Sequence, residues 1–383
     1  MSPVVQKNQS LDISADVWKK NIKKWAADLG FVAAGFTSAA PVEGLKEMLE
    51  RRAARGEATS FESVEWELRV NPKAVWPECE TVVVLAYPLP LSTPARAGEG
   101  VLARSAVGED YHRLVQEKLE ALSAKILEDG WPSLPPKTQV DTGPLVERAF
   151  ALRAGVGWIG RNQQLIVPGY GSFVALALLL LDRELAPDCP VSDQCGACTL
   201  CRTACPAQVI GRETFAARRC FSYLTQSKEV LDRESAQRLG GRIFGCDTCQ
   251  EVCPHNRERI EQERERAQEL EQERKQELER DRVQEQMHEK EHKRQGEPVP
   301  FMLNNNYRGV DLYDTLNLTK GEFNRRFRAS AAGWRGKGIL QRNAYLALKQ
   351  AGDPRLQAWL KERAENGEIP ALILPYIDSH SDS

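Results

Sequence analysis

Apolar residues recur at helical spacing over residues 15–30, where Trp18, Ile22, Trp25, Ala26 and Leu29 share one face, and residues 31–36 then read as a short buried strand. Residues 81–87 read as another strand. Tyr111, Leu114, Val115, Leu119, Leu122 and Ile126 form a second amphipathic helix, which Gly130 and Pro132 stop. A strand end at residues 139–141, a helix over 144–154 and a long strand over 171–181, apolar enough to be buried on both faces, complete the pattern. Helices alternate with strands, which predicts a mixed α+β or α/β domain over residues 1–185.

The texture changes over residues 186–256 to dense Cys, Gly and Pro with little apolar periodicity, as expected where metal clusters replace an oily core. Residues 257–297 are nearly all Glu, Arg, Gln and Lys; Ile260, Ala267, Leu270, Leu278, Val283 and Met287 fit no heptad, so the stretch cannot bury a core. Its interleaved charges and high helix propensity predict a solvated single helix, with disorder as the competing reading. Over residues 298–383 the helical pattern returns around Phe323 and Phe327, at residues 339–349 and at 356–364. Paired short helices of this kind resemble one HEAT-like repeat, and no second copy follows.

Composition narrows the class. A chain of 383 residues exceeds one typical domain, and its net charge of -2 argues against a wholly basic nucleic-acid coat, leaving only a local patch for RNA. No export signal is apparent and the most apolar run, residues 173–181, is too short to span a bilayer, so a cytoplasmic protein is expected. Ten cysteines in that setting point to metal ligation rather than disulfides.

Their spacing sharpens the point. Cys195, Cys198, Cys201 and Cys205 followed by Pro206 have the bacterial ferredoxin spacing, in which three thiolates grip one four-iron cluster and the fourth reaches another. Cys246, Cys249 and Cys253 with Pro254 form a modified second copy, and Cys220 can supply the missing thiolate. By the crossed rule Cys195, Cys198, Cys201 and Cys253 hold one [4Fe-4S] cluster, while Cys205, Cys220, Cys246 and Cys249 hold the other. Cys79 and Cys189 are left over. A pair of structural zinc sites is the blander alternative.

At these residues a resemblance emerges. Gly245-Cys246-Asp247-Thr248-Cys249-Gln250 with Cys253-Pro254, Cys220-Phe221-Ser222-Tyr223-Leu224-Thr225, Asp110-Tyr111-His112, Val140-Asp141-Thr142-Gly143 and Trp334-Arg335-Gly336-Lys337 are similar to the epoxyqueuosine reductase family. The resemblance implies an oxidoreductase that performs the last step of queuosine synthesis on tRNA. It also implies an N-terminal cobalamin-binding domain related to reductive dehalogenases and two four-iron clusters. The implied cobalamin contacts fall on Arg69, Tyr111, His112, Asp141, Leu165, Leu176, Ser222, Cys246 and Asp247. Asp141 is the implied proton donor, which requires a raised pKa. After Leu176 this chain runs Ala177-Leu178-Leu179-Leu180-Leu181 where the family commonly has an acidic residue.

The further expectations are a monomer, an external low-potential electron donor, a tRNA carrying epoxyqueuosine and no membrane. Arg325, Arg326, Arg335, Lys337 and Arg342 are the candidate phosphate contacts, although a solvated helix face explains the same residues. The competing functions are a reductive dehalogenase-like enzyme and a non-catalytic ferredoxin-type carrier.

Overall fold

Val, Leu and Ala occupy both faces of the two longest strands, and that alternation sets the architecture. The computed structural model describes residues 9–130, 132–211, 215–287 and 306–377. Strands β1 (Ala33–Ser38), β2 (Thr81–Pro88), β3 (Lys137–Val140) and β4 (Val174–Leu181) form a sheet in the order β1-β2-β4-β3, with every neighbouring pair antiparallel. One face, through Phe36, Val83, Leu85, Ala177, Leu179 and Leu181, packs on helices α1 (Gln9–Asp28) and α2 (Tyr111–Glu128). The opposite face, through Val82, Val84, Ala86, Leu178 and Leu180, packs on α3 (Glu147–Arg153) with Trp76 and Leu145.

Each of these large side chains contributes roughly 1.5–3 kcal/mol by leaving water. The strand over residues 174–181 is buried on both faces as its composition requires, and the mixed helix and strand architecture is present. The sheet is the α+β form of that expectation, because its two-sided burial comes from flanking helices rather than from parallel crossovers. Gly35 is obligatory in β1: a Cβ there would lie 2.1 Å from the Ala154 carbonyl oxygen.

The chain gathers into two units built from discontinuous segments. The first comprises Met1–Leu89, Asp110–Leu224 and Asp247–Asn256 and holds the sheet. The second comprises Pro90–Glu109, Thr225–Cys246 and Arg257–Ser383. Its small sheet places Gly100–Leu102 between Arg242–Phe244, parallel, and Gly309–Val310, antiparallel. Helix Lys337–Ala351 lies against it, with Asn343 Nδ2 donating to the Thr225 and Ile243 carbonyls, both at 2.8 Å. Gly352, left-handed at φ 65°, ends that helix, and Arg355–Glu365 follows.

The charged stretch is helical over Arg257–Met287; its remainder, with residues 298–305, lies outside the described residues. The helix is not wholly solvated. Glu263 is 1% exposed and accepts from Ser92 N (3.0 Å), Ser92 Oγ (3.1 Å) and Arg104 Nη2 (2.6 Å). Arg96 and Glu271 add a looser pair at 3.9 Å. Among the described residues, no helix is long and apolar enough to cross a membrane.

Candidate active site

In the first unit, α2 and the end of β3 bring four polar side chains together. Asp110 caps α2, accepting from the His112 backbone N–H at 3.0 Å, and its Oδ1 lies 2.6 Å from His112 Nδ1. His112 Nε2 lies 3.1 Å from Asp141 Oδ2, and the Tyr111 hydroxyl donates to that same oxygen at 2.7 Å. The Tyr111 and His112 rings stack with centroids 4.0 Å apart. Asp141 holds a left-handed backbone at φ 53°, unusual for a residue with a Cβ, which points its carboxylate back at α2.

The protonation pattern follows from this geometry. Burial pulls the His112 pKa down, but hydrogen bonds to Asp110 and Asp141 outweigh it and raise it to about 9. The imidazole is therefore a cation at neutral pH, donating from both nitrogens. The His112 hydrogen bond holds the Asp141 carboxyl below its ordinary range, against the opposing effect of burial. This is the opposite direction to the raised pKa that acid catalysis by Asp141 requires, which burial against corrin and substrate is expected to produce. Burial and Asp141 push the Tyr111 phenol far up, so it stays protonated. Glu147, hydrogen-bonded by Gln139, is pushed up to about 7 by burial.

From their exposure to water amid crowding protein we infer that these groups line an open recess. The Asp141 side chain is 61% exposed to water, and Arg148 is exposed as well. Protein nevertheless crowds both, so that desolvation acts on Asp141 and is the main influence lowering the Arg148 pKa. Side chains both wetted and walled in this way belong to a concavity that a large ligand can fill. Leu165 is buried in the apolar cluster beneath the sheet and Leu176 packs against that cluster half-buried. Arg69 is drawn aside: its Nη1 lies 3.2 Å from Glu62 Oε2, which also pairs with Arg52.

Four of the cysteines in this unit feel one another. Burial raises the Cys201 thiol pKa, with further contributions from Cys253, Cys195 and Cys198. Burial likewise raises that of Cys253, with Cys195 and Cys198 adding to it. Among the described residues no three His, Cys, Asp or Glu side chains converge tightly enough for a single ion. The ferredoxin spacing of these cysteines along the chain is the donor pattern that a four-iron cluster takes.

Cys205 is buried, Cys249 and Cys220 are half-buried, and Ser222 stands on the short helix Phe221–Leu224. Asp247, 7% exposed, starts the turn Thr248–Glu251. That run is tied to β4 through Asn256, whose Oδ1 accepts from Ser172 N at 2.7 Å, and Gln250, whose Oε1 accepts from Ser172 Oγ at 2.9 Å. Gly171 makes the approach possible, since a Cβ there would fall 2.1 Å from Asn256 Oδ1. In the second unit, Arg242 Nε donates to Cys246 Sγ at 3.3 Å. Cys79 is buried, its thiol pushed up to about 12 by burial, while Cys189 is exposed.

The expected RNA face, also in the second unit, needs one correction. Arg342 is 1% exposed, its Nη1 donating to the Ser227 carbonyl at 2.6 Å and its Nε to Asn343 Oδ1 at 3.0 Å. It organises the interior and does not meet a phosphate. Arg325 is exposed, Arg326 lies half-buried over Phe327, and Lys337 reaches Gln341 Oε1 at 3.3 Å. Arg335 donates to the Gln226 carbonyl at 2.8 Å and lies over Trp334, 4.7 Å from the ring centroid. Trp334 is 55% exposed, its indole N–H donating to Gln226 Oε1 at 3.0 Å, and its place before an Arg, a Gly and a Lys was the available signal in the sequence.

Comparison with known proteins bears on both regions. A family model described as epoxyqueuosine reductase QueG matches residues 69–142, and one described as a 4Fe-4S double cluster binding domain matches residues 194–256. The chain is 34% identical over 361 residues to an epoxyqueuosine reductase of Listeria monocytogenes, covering 92% of this chain and 86% of that protein. It superposes on an epoxyqueuosine reductase solved with an epoxyqueuosine-modified tRNA stem loop, at a TM-score of 0.75 and 30% identity, covering 91% and 85% of the two chains. A Bacillus subtilis epoxyqueuosine reductase, solved with its catalytic aspartate loop swung out of the active site, matches at a TM-score of 0.76 and 29% identity, covering 94% and 88%.

Proposed function

Because the chain belongs to the epoxyqueuosine reductase family, we propose that it reduces epoxyqueuosine to queuosine in a tRNA anticodon, using cobalamin and two four-iron clusters. The observation that carries the proposal is the Asp110, His112, Asp141 and Tyr111 hydrogen-bonded chain, set on an open recess in the sheet unit. The residues present suit the cofactors. Seven thiols in two ferredoxin-like runs, with Cys220 as the eighth, match two clusters, and the exposed Asp141 carboxylate and Arg148 offer polar groups to a large ligand.

In this reading residues 1–185 bind cobalamin, residues 186–256 carry the clusters in the crossed pairing, 257–297 add the charged helix, and 298–383 form a HEAT-like segment. Tyr111, His112, Asp141, Leu165, Leu176, Ser222, Cys246 and Asp247 are the proposed cobalamin neighbours. Arg69 joins them, its Nη1 held by Glu62 and its other guanidinium N–H groups available to a ligand. Cobalamin held by these residues would supply the two electrons needed to remove the epoxide oxygen and leave an alkene, with the clusters and an external low-potential donor as their source.

The chain's own residues supply one of the two protons with which the epoxide oxygen leaves as water, and solvent supplies the other. His112 stores one as an imidazolium held between Asp110 and Asp141. Filling the recess removes water, which disfavours an adjacent cation and anion and favours the neutral pair, so the proton passes from His112 Nε2 to Asp141 Oδ2. Asp141 then delivers it to the departing oxygen as a general acid. Tyr111 keeps the carboxylate aimed by donating to it.

For the RNA, exposed Arg325, with Arg326, Arg335 and Lys337, is the proposed phosphate-facing group, and Trp334 beside Arg335 offers a ring on which an unstacked base can lie. The deciding experiment loads the purified protein anaerobically with iron, sulfide and cobalamin, adds a low-potential chemical reductant such as dithionite, and follows epoxyqueuosine in tRNA by nucleoside mass spectrometry. Wild type converts it, and Asp141→Asn is expected to lose about 100-fold to 10,000-fold in rate. A fully loaded wild type that leaves epoxyqueuosine intact would sink the proposal.

A further inference from the structure

The hairpin joining Trp158–Ile159 to Leu165–Ile166 belongs to the sheet unit, yet its tip reaches the cysteine runs. The turn is tight. Gln163 N donates to the Gly160 carbonyl and Gly160 N to the Gln164 carbonyl, both at 2.8 Å, and Gln163 takes a left-handed backbone at φ 63°. Gly160 leaves room for this, since a Cβ there would lie 2.6 Å from Ile166 Cδ1. At the tip, Arg161 spreads its guanidinium across the loop carrying the first two thiols: Nη2 donates to the Gly196 carbonyl at 2.7 Å and Nη1 to the Cys198 carbonyl at 3.0 Å. Asn162, 2% exposed, touches the other run through the Cys249 carbonyl at 3.4 Å. Toward the recess, Arg148 donates to the Gln163 carbonyl.

The loop under Arg161 has little else to hold it. Its turn is closed by Cys198 N on the Cys195 carbonyl at 3.0 Å, and most of residues 191–200 are exposed. In a planar trans peptide the N–H points opposite to the C=O. With the Gly196 and Cys198 carbonyls turned to Arg161, the N–H groups of Ala197 and Thr199 face away from it. Among the described residues neither finds a protein acceptor. Amide donors to cluster sulfur and a nearby cation both stabilise the more negative, reduced state.

We propose that Arg161 is the positioning residue of the cluster assigned to Cys195, Cys198, Cys201 and Cys253, fixing the loop so that the Ala197 and Thr199 amides serve its sulfurs and raising its reduction potential. This rests on the two-cluster reading above. Through this turn the sheet hairpin would tune the first step of the electron relay.

The test is a redox titration of reconstituted protein followed by paramagnetic resonance, with iron counted in parallel. In R161Q one centre is expected to titrate at a lower potential than in wild type while the other is unmoved. R161K, which keeps the charge but not the fork, recovers the midpoint only in part. Two centres titrating in R161Q as in wild type would overturn the inference and leave the function untouched. If R161Q fails to take up iron, R161K decides, since a wild-type midpoint and iron content there would overturn it equally. A wild-type protein without any iron–sulfur signal removes the two-cluster reading itself.

Discussion

The sheet and the cysteine stretch lie in one chain but are held by different forces. Every residue of β2 from Val82 to Ala86 is fully buried, whereas the short helices Leu200–Ala204, Ala217–Arg219 and Thr248–Glu251 bury no residue at all. The first region closes on its own apolar surface. The second buries apolar side chains only in patches, such as Val209 with Ile210 and Phe221 with Tyr223 and Leu224, and sets its thiols on the short segments between them, so the order of those segments depends on what the thiols bind. A fold can thus be complete where it shapes the recess and conditional where it carries electrons.

The sharpest way to break this contrast is to strip the metal. Removing iron with a chelator under reducing conditions is expected to expose backbone amides of residues 190–256 to hydrogen exchange while β2 and β4 stay protected; equal loss in both regions would refute the distinction. Next, Leu179→Ala in β4 should cost about 2–5 kcal/mol in urea unfolding, whereas Leu200→Ala, at a residue 51% exposed, should stay within about 0.5 kcal/mol.

A smaller effect concerns pH. His112 has a folded pKa of about 9 against 6.5 for the free side chain, so its charge stabilises fully below pH 6.5 and the benefit fades as pH rises through 9. Unfolding midpoints of wild type and His112→Gln should therefore differ most near pH 6 and converge above 9. Proton resonances of His112 read the same titration directly. The mildest change is Arg325→Gln, expected to lower the salt dependence of tRNA binding by slightly under one unit of slope per lost phosphate contact, about 0.7–0.9.

Much of this was legible in the residues. The two-sided burial of β2 and β4 follows from runs of Val, Leu and Ala, and the cysteine runs point to clusters through their spacing. What the sequence hid depends on long-range partners. Asp141 reads as an ordinary aspartate before a Gly-Pro turn; its left-handed backbone and the imidazolium facing it arise only when β3 ends beside α2. Arg342 reads as one more surface cation. Residues 339–348 of its helix are all buried, and its charge is absorbed by the Ser227 carbonyl, more than 100 positions away. Arg161 gave no signal, because backbone carbonyls, its partners, leave no trace in a sequence.

The burial of Glu263 has a mechanical consequence. A helix of 31 residues measures roughly 46 Å from tip to tip, and the clamp grips it within the first two turns. Held there, it behaves as a pointer: a tilt of about 10° at the clamp sweeps a point 30 Å along by roughly 5 Å. A spectroscopic probe near its middle would turn small rearrangements around Arg104 into displacements large enough to measure.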